Sequence, residues 1–201
     1  MQLNFPVSEP CQWQPPEHYS LTSSQRNWLL AEGSLTKKLK QHCRQFRVQL
    51  IGQRPAPIFD SEFDLFKRQH TRVPFEASVR EVLLYCDDKP WVFARSLFPL
   101  SALRHKNLNL SGLGDSSLGQ SLFDQPDLLR SPFEVAQLPD NHAVARLNHQ
   151  LFGHSQNLWG RRSLFLTSGQ RVLVSEIFLS PLPFYQSRAS HSLNPEEKGH
   201  E

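Results

Sequence analysis

The chain has 201 residues, enough for one domain that buries roughly 70% of its unfolded surface and needs no disulfide or metal staple. Twenty-two Lys and Arg against nineteen Asp and Glu give a formal charge of +3, too small a surplus to argue for nucleic-acid binding but compatible with a small anionic ligand. The apolar runs fall far short of the ~20 residues of a membrane span, and residues 1–10 carry neither part of a secretory signal, so the expectation is a cytoplasmic protein without membrane insertion.

Residues 1–22 read as an N-terminal arm. Ser23 or Ser24 then caps a short helix whose apolar stripe is Trp28, Leu29 and Leu30. Gly33 breaks it, and Ser34 opens a second helix with Leu35 and Leu39 four apart and Lys37, Lys38 and Lys40 turned to solvent or to an anion. From residue 45 to 54 the period changes to two, with Phe46, Val48 and Leu50 alternating against Arg47 and Gln49, as a half-buried strand requires. Residues 55–74 are bounded by prolines and read as a loop with at most one helical turn. Strand patterns at 78–86 and 91–98 form a hairpin across the turn-forming stretch 87–90.

A polar, Gly/Ser-rich stretch follows, then a short helix at 118–123, a weaker strand at 133–138, and a helix at 141–152 with Val144, Leu147 and Leu151 on one stripe. A second hairpin, 158–167 with 171–179, turns at Ser168, Gly169 and Gln170. Six strands joined mostly as hairpins, with helices between them, predict an α+β domain over residues 23–185, an antiparallel sheet covered on one face by helices. The tail 186–201 has little apolar material beyond Leu193 and reads as disordered. Cys11, Cys43 and Cys86 are odd in number and far apart, which suits reduced thiols.

Strand alternation sets charged residues on apolar faces. Glu176 shares its face with Val172, Val174 and Phe178, Arg80 with Val82, Leu84 and Cys86, and Arg95 with Trp91, Phe93 and Leu97. An ionised group left unpartnered there is costly. Either Arg80 and Glu176 neutralise each other, or one of these faces is exposed, or they line a pocket whose ligand offers an anion to the arginine and a hydroxyl or proton to the glutamate. The adjacent Arg161 and Arg162 must point to opposite faces of their strand. His142, His149 and His154 are spaced seven and five apart, which fits no metal motif, and neither a Gly-rich phosphate loop, a Gly-x-Ser-x-Gly elbow nor a Cys-x-x-Cys pair is present. No metal site is expected.

The unusual residues lie in blocks that together resemble the chorismate pyruvate-lyase family. They are Trp28-Leu-Leu-Ala-Glu-Gly-Ser-Leu-Thr-Lys-Lys38, Val79-Arg-Glu-Val-Leu-Leu-Tyr-Cys86 with Pro90-Trp91 and Ala94-Arg95, and Ser117-Leu-Gly-Gln-Ser-Leu-Phe123. Leu158-Trp-Gly-Arg-Arg-Ser163, Ser175-Glu-Ile-Phe-Leu179 and Pro183-Phe-Tyr185 complete the pattern. The resemblance implies a six-stranded antiparallel sheet with helical flaps over a buried site, and a monomer without cofactor. The implied reaction is the elimination of pyruvate from chorismate to give 4-hydroxybenzoate, the first committed step toward ubiquinone.

Carried onto matching positions, the product's carboxylate meets Arg80 and the backbone amides of Leu35 and Leu118, and its hydroxyl meets Glu176. Leu35 stands where the family often has methionine. Chorismate carries a second carboxylate, for which Arg95, Arg161 and Arg162 are candidates, with Lys37 and Lys38 as attraction at the entrance. The connection 139–156 is longer than the family's. Two other readings compete: a non-catalytic binding or regulatory module for small aromatic acids, and a scaffold in which Arg80 pairs directly with Glu176.

Overall fold

The computed structural model describes residues 3–67, 77–106, 108 and 110–186. Residues 187–201, read as a disordered tail, lie outside the described residues, as does much of the second half of the 55–74 segment.

Seven antiparallel strands make one open sheet: β1 (Phe46–Arg54), β2 (Ala77–Cys86), β3 (Lys89–Pro99), β4 (Leu129–Arg130), β5 (Glu134–Leu138), β6 (Leu158–Thr167) and β7 (Gln170–Phe178). Their order is β1-β2-β3-β7-β6-β4, with β5 also pairing with β6. The strand beyond the expected six is β4, whose two residues are too short to show a period. Both long hairpins turn on left-handed residues, Asp87 (φ 53°) in one and Ser168 and Gly169 (φ 50° and 69°) in the other, so the tight turns match the strands' twist.

Helices cover both faces rather than one. On the front lie α1 (Ser23–Leu29), α2 (Leu35–Lys40), α4 (Leu100–Leu103), α5 (Leu118–Phe123) and α7 (Pro183–Gln186); α1, α2 and α7 pack over a core that includes Val82, Leu84, Val92 and Phe178, and α4 and α5 over one that includes Phe98, Phe165 and Val172. On the back lie α3 (Asp60–Lys67) and α6 (Ala143–Phe152), the latter packing Val144, Ala145 and Leu147 on Leu83, Phe93 and Ile177. The long connection around α6 is therefore on the side away from α2 and α5. The N-terminal arm crosses the back as well, packing Val7 and Trp13 on the same cluster as α6, and then pairs with β5, where Gln14 bridges Val135.

The helix starts follow from short-range chemistry. Helix α1 is capped one residue earlier than Ser23, because Thr22 and Gln25 form a capping box: Thr22 Oγ1 accepts from Gln25 N at 3.2 Å and Gln25 Oε1 from Thr22 N at 2.9 Å. Ser34 caps α2 and Ser117 caps α5. The expected loop after Pro55 contains the two-turn helix α3, held by Glu62 Oε2 accepting from Phe59 N at 3.0 Å.

Two register shifts alter which residues share a face. Between Leu50 and Gly52 the pairing with β2 slips, so Gln53 joins Val48 on the front opposite Arg80. Between Leu84 and Tyr85 the partners run Val92 then Pro90, which leaves Trp91 as the extra residue. Trp91 is thereby separated from Phe93, Arg95 and Leu97 and packs on Trp28 at the front, ring centroids 6.3 Å apart.

Candidate active site

Adjacent rows of the sheet point to opposite sides, which sorts the buried charges. One front row runs Val82–Ala94–Glu176–Arg161, and the next runs Gln53–Arg80–Ser96–Val174–Ser163. The back row between them runs Glu81–Arg95–Ser175–Arg162–Glu134. Arg95 and Arg162, offered above for a second carboxylate, are thus corrected: they face away from the front. Arg95 Nε donates to Glu62 at 2.7 Å, and Arg162 Nε donates to Glu134 at 2.7 Å.

The front rows floor a hollow of about 50 Å³, with Leu35, Arg80, Leu118 and Glu176 all on its wall. Helices α2 and α5 form its lid, meeting where the hydroxyls of Thr36 and Ser117 hydrogen-bond at 2.6 Å. Gly119 permits this approach, since a Cβ there would stand 3.2 Å from Thr36 Oγ1. Leu35 and Leu118 are the first residues of these helices, where backbone N–H groups have no intrahelical acceptor. Neither amide donates to another group among the described residues.

Arg80 is 2% exposed. Its Nη1 donates to Gln53 Oε1 at 3.0 Å, and Nη2 donates to the carbonyls of Gly114 and Ser116 at 2.9 and 3.2 Å. Among the described residues no carboxylate lies within ion-pair distance of it. Burial pulls its pKa down, opposed by the charge of Asp115, yet a guanidinium remains protonated. A buried cation held only by neutral oxygens still favours an anion in front of it.

Glu176 does not pair with Arg80. Its Oε2 accepts from Arg161 Nε at 2.6 Å, and Oε1 has no hydrogen-bond partner among the described residues. Arg161 uses two of its three nitrogens: beside Nε, Nη1 donates to the carbonyls of Trp28 and Ala31 at 3.1 and 3.0 Å, binding the end of α1 to the sheet, while Nη2 has no hydrogen-bond partner among the described residues. Lys37 lies at the outer junction of α2 and α5, whereas Lys38 is tied to Asn27 and to the Trp28 ring, 4.6 Å from its centroid.

Two further residues on this wall, Ser163 and Arg130, and Gln53, which is bonded to Arg80 but is not on the wall, escaped the sequence reading. Gln53 was hidden by the shift in β1. Ser163 stands two residues from Arg161 and so shares its face, a signal that was available; its Oγ is buried without a partner. Arg130 lies on the short β4, with its Cζ 4.2 Å from the Phe133 ring centroid. The three histidines serve elsewhere: His142 caps α6, His149 faces Ser155 and His154 its own loop. Among the described residues no cluster of His, Cys, Asp or Glu suits a metal ion, and no helix is long and apolar enough to cross a membrane.

A guanidinium, two free amides and a carboxylate surround an apolar hollow under paired helices, an arrangement with the chemistry to hold a small anionic molecule. The family model for chorismate lyase matches residues 7–189, and the chain belongs to the chorismate lyase family of enzymes. It is 50% identical to "Probable chorismate pyruvate-lyase" of Idiomarina loihiensis, over 94% of this chain and 95% of that one. A protein of the same name from Shewanella loihica is 40% identical over 89% and 92%. Among solved structures, the effector domain of PhnF from Mycobacterium smegmatis superposes with a TM-score of 0.53 at 13% identity, covering 74% of this chain and 90% of that domain; this likeness concerns the fold alone.

Proposed function

We propose that the protein is a cytoplasmic chorismate pyruvate-lyase, releasing pyruvate from chorismate and leaving 4-hydroxybenzoate, a ubiquinone precursor. The observation that carries this reading is the buried Arg80, a cation with no carboxylate partner among the described residues, beside the free amides of Leu35 and Leu118. Together these would hold the ring carboxylate. Glu176, across the hollow, would meet the ring hydroxyl through Oε1 while Arg161 steadies Oε2.

In the elimination, the C–H bond at the hydroxyl-bearing ring carbon and the C–O bond at its neighbour both break. The electron pair of the C–H bond completes the aromatic ring, and the enolpyruvyl group leaves as an enolate that takes up a proton to become pyruvate. Aromatisation supplies the driving force. The chain's task is to hold the diene ready for elimination and to exclude water. Glu176 would exchange the proton, or only orient the hydroxyl while the substrate's own carboxylate or water carries it. An enclosed aromatic acid with this many anchors leaves slowly, through the α2–α5 lid.

Incubation of the purified protein with chorismate, read by a coupled pyruvate assay, tests the reading: pyruvate is expected in equal amount to 4-hydroxybenzoate. Tight 4-hydroxybenzoate binding without pyruvate would make the protein a binding module instead. For Glu176→Gln the expected loss in kcat is about a hundredfold or more if the carboxyl moves the proton, and near-full turnover would leave it an orienting role.

A further inference from the structure

Substrate and product of the proposed reaction differ in one recognisable group: chorismate has a second carboxylate, on the enolpyruvyl side chain that leaves. Arg80 faces the first. Arg95 and Arg162 lie on the other side of the sheet, and Arg161 has given Nε and Nη1 to Glu176 and to the carbonyls at the end of α1. Arg161 therefore offers the second carboxylate no more than Nη2, and a full anion subsite calls for a further cation.

Arg130 has the required placement. Its Cα pairs with Phe165 across β4 and β6, so its side chain shares the front face with Phe165 and Ser163, and all three line the hollow. Ser163 is its diagonal neighbour, roughly 7–8 Å away between Cα atoms. The Arg130 guanidinium stacks on Phe133 and makes no hydrogen bond or ion pair to another side chain among the described residues. Arg161 lies against the same ring, 4.7 Å from its centroid, so two cations converge on this end of the hollow; among the described residues only one carboxylate, Glu176, is bonded there, and Glu32 acts on Arg130 through its charge without an ion pair. Ser163 is 4% exposed, and its hydroxyl, without a partner among the described residues, is the kind of buried polar atom that a bound group satisfies.

We infer that Arg130 and Ser163 form a second anion subsite that takes the enolpyruvyl carboxylate of the substrate. The inference rests on the lyase reading above and deepens it. Arg130 supplies the charge and Ser163 a single hydroxyl donor, and the leaving group is gripped at the end where the Glu176 carboxyl meets the ring hydroxyl. The product, lacking that carboxylate, makes neither contact.

The test separates substrate from product. In Arg130→Gln, kcat/KM for chorismate is expected to fall about ten- to a hundredfold, the loss of a charge-assisted contact, with a smaller fall in Ser163→Ala and an intermediate one in Arg130→Lys. The inhibition constant of 4-hydroxybenzoate should stay within about threefold in all three, which also reports an intact fold. Unchanged kcat/KM in Arg130→Gln, or equal losses for substrate and product, overturns the subsite while leaving the lyase reading standing. A wild-type protein that binds 4-hydroxybenzoate and releases no pyruvate overturns both.

Discussion

His142 shows how one residue ties local geometry to a measurable pH response. Its Nδ1 accepts from Val144 N at 3.1 Å, capping α6, and its Nε2 therefore donates to the Glu9 carbonyl at 3.1 Å. Only the neutral ring can do both. Burial lowers its pKa below the ordinary 6.5, helped by Arg146 and opposed by the Glu9 carbonyl and carboxylate. The unfolded chain thus takes up this proton first as pH falls, so the contribution to stability is complete above about 6.5 and declines from there toward the lowered folded value. Wild type is expected to lose about 1 kcal/mol of α6 capping between pH 7.5 and 5.5 relative to His142→Asn, which keeps a good cap and cannot titrate. Equal Tm shifts for the two proteins over that range would remove His142 from the account.

At the level of elements, the two long hairpins and the α1–α2 pair were legible because alternation, capping residues and turn residues all agree there. The same alternation made Arg80 and Glu176 conspicuous, as charges among valines and leucines. It failed where an extra residue reverses the parity: Trp91 was grouped with Arg95, and Gln53 was not connected to Arg80, because a bulge leaves no mark in a single sequence. Arg130 was illegible for another reason, since a two-residue strand has no period at all.

The lid shows what pairing of elements adds. Helices α2 and α5 meet through Thr36 and Ser117, and no strand pattern foretells that contact. Thr36→Val keeps the side-chain shape and leaves Ser117 to cap α5 through Gln120 N. Losing one hydrogen bond of about 1 kcal/mol should speed 4-hydroxybenzoate release roughly fivefold in stopped-flow displacement. An unchanged release rate would show that the lid opens elsewhere.

Across the whole molecule, the sheet separates two buried polar systems, and they answer to different partners. The front leaves the Leu35 and Leu118 amides and the Ser163 hydroxyl without partners among the described residues. The back closes on itself: Glu81, wholly buried, accepts from Val7 N at 2.6 Å, Ser8 N at 3.1 Å and the Ser8 hydroxyl, while Arg95 stands 3.5 Å away and is held more closely by Glu62. The N-terminal arm thus supplies most of the hydrogen bonds to this buried carboxylate, and Arg95 its ion pair. A chain shortened to start at Pro10 should lose about 3 kcal/mol of stability by denaturant titration, yet bind 4-hydroxybenzoate within about threefold of wild type, because the hollow is on the other face. If the cost comes from stranding that charge, Glu81→Gln should destabilise the full chain but be much less harmful, or helpful, in the shortened one. Additive losses in the double variant would mean that the arm stabilises the sheet by covering its apolar surface, independently of Glu81.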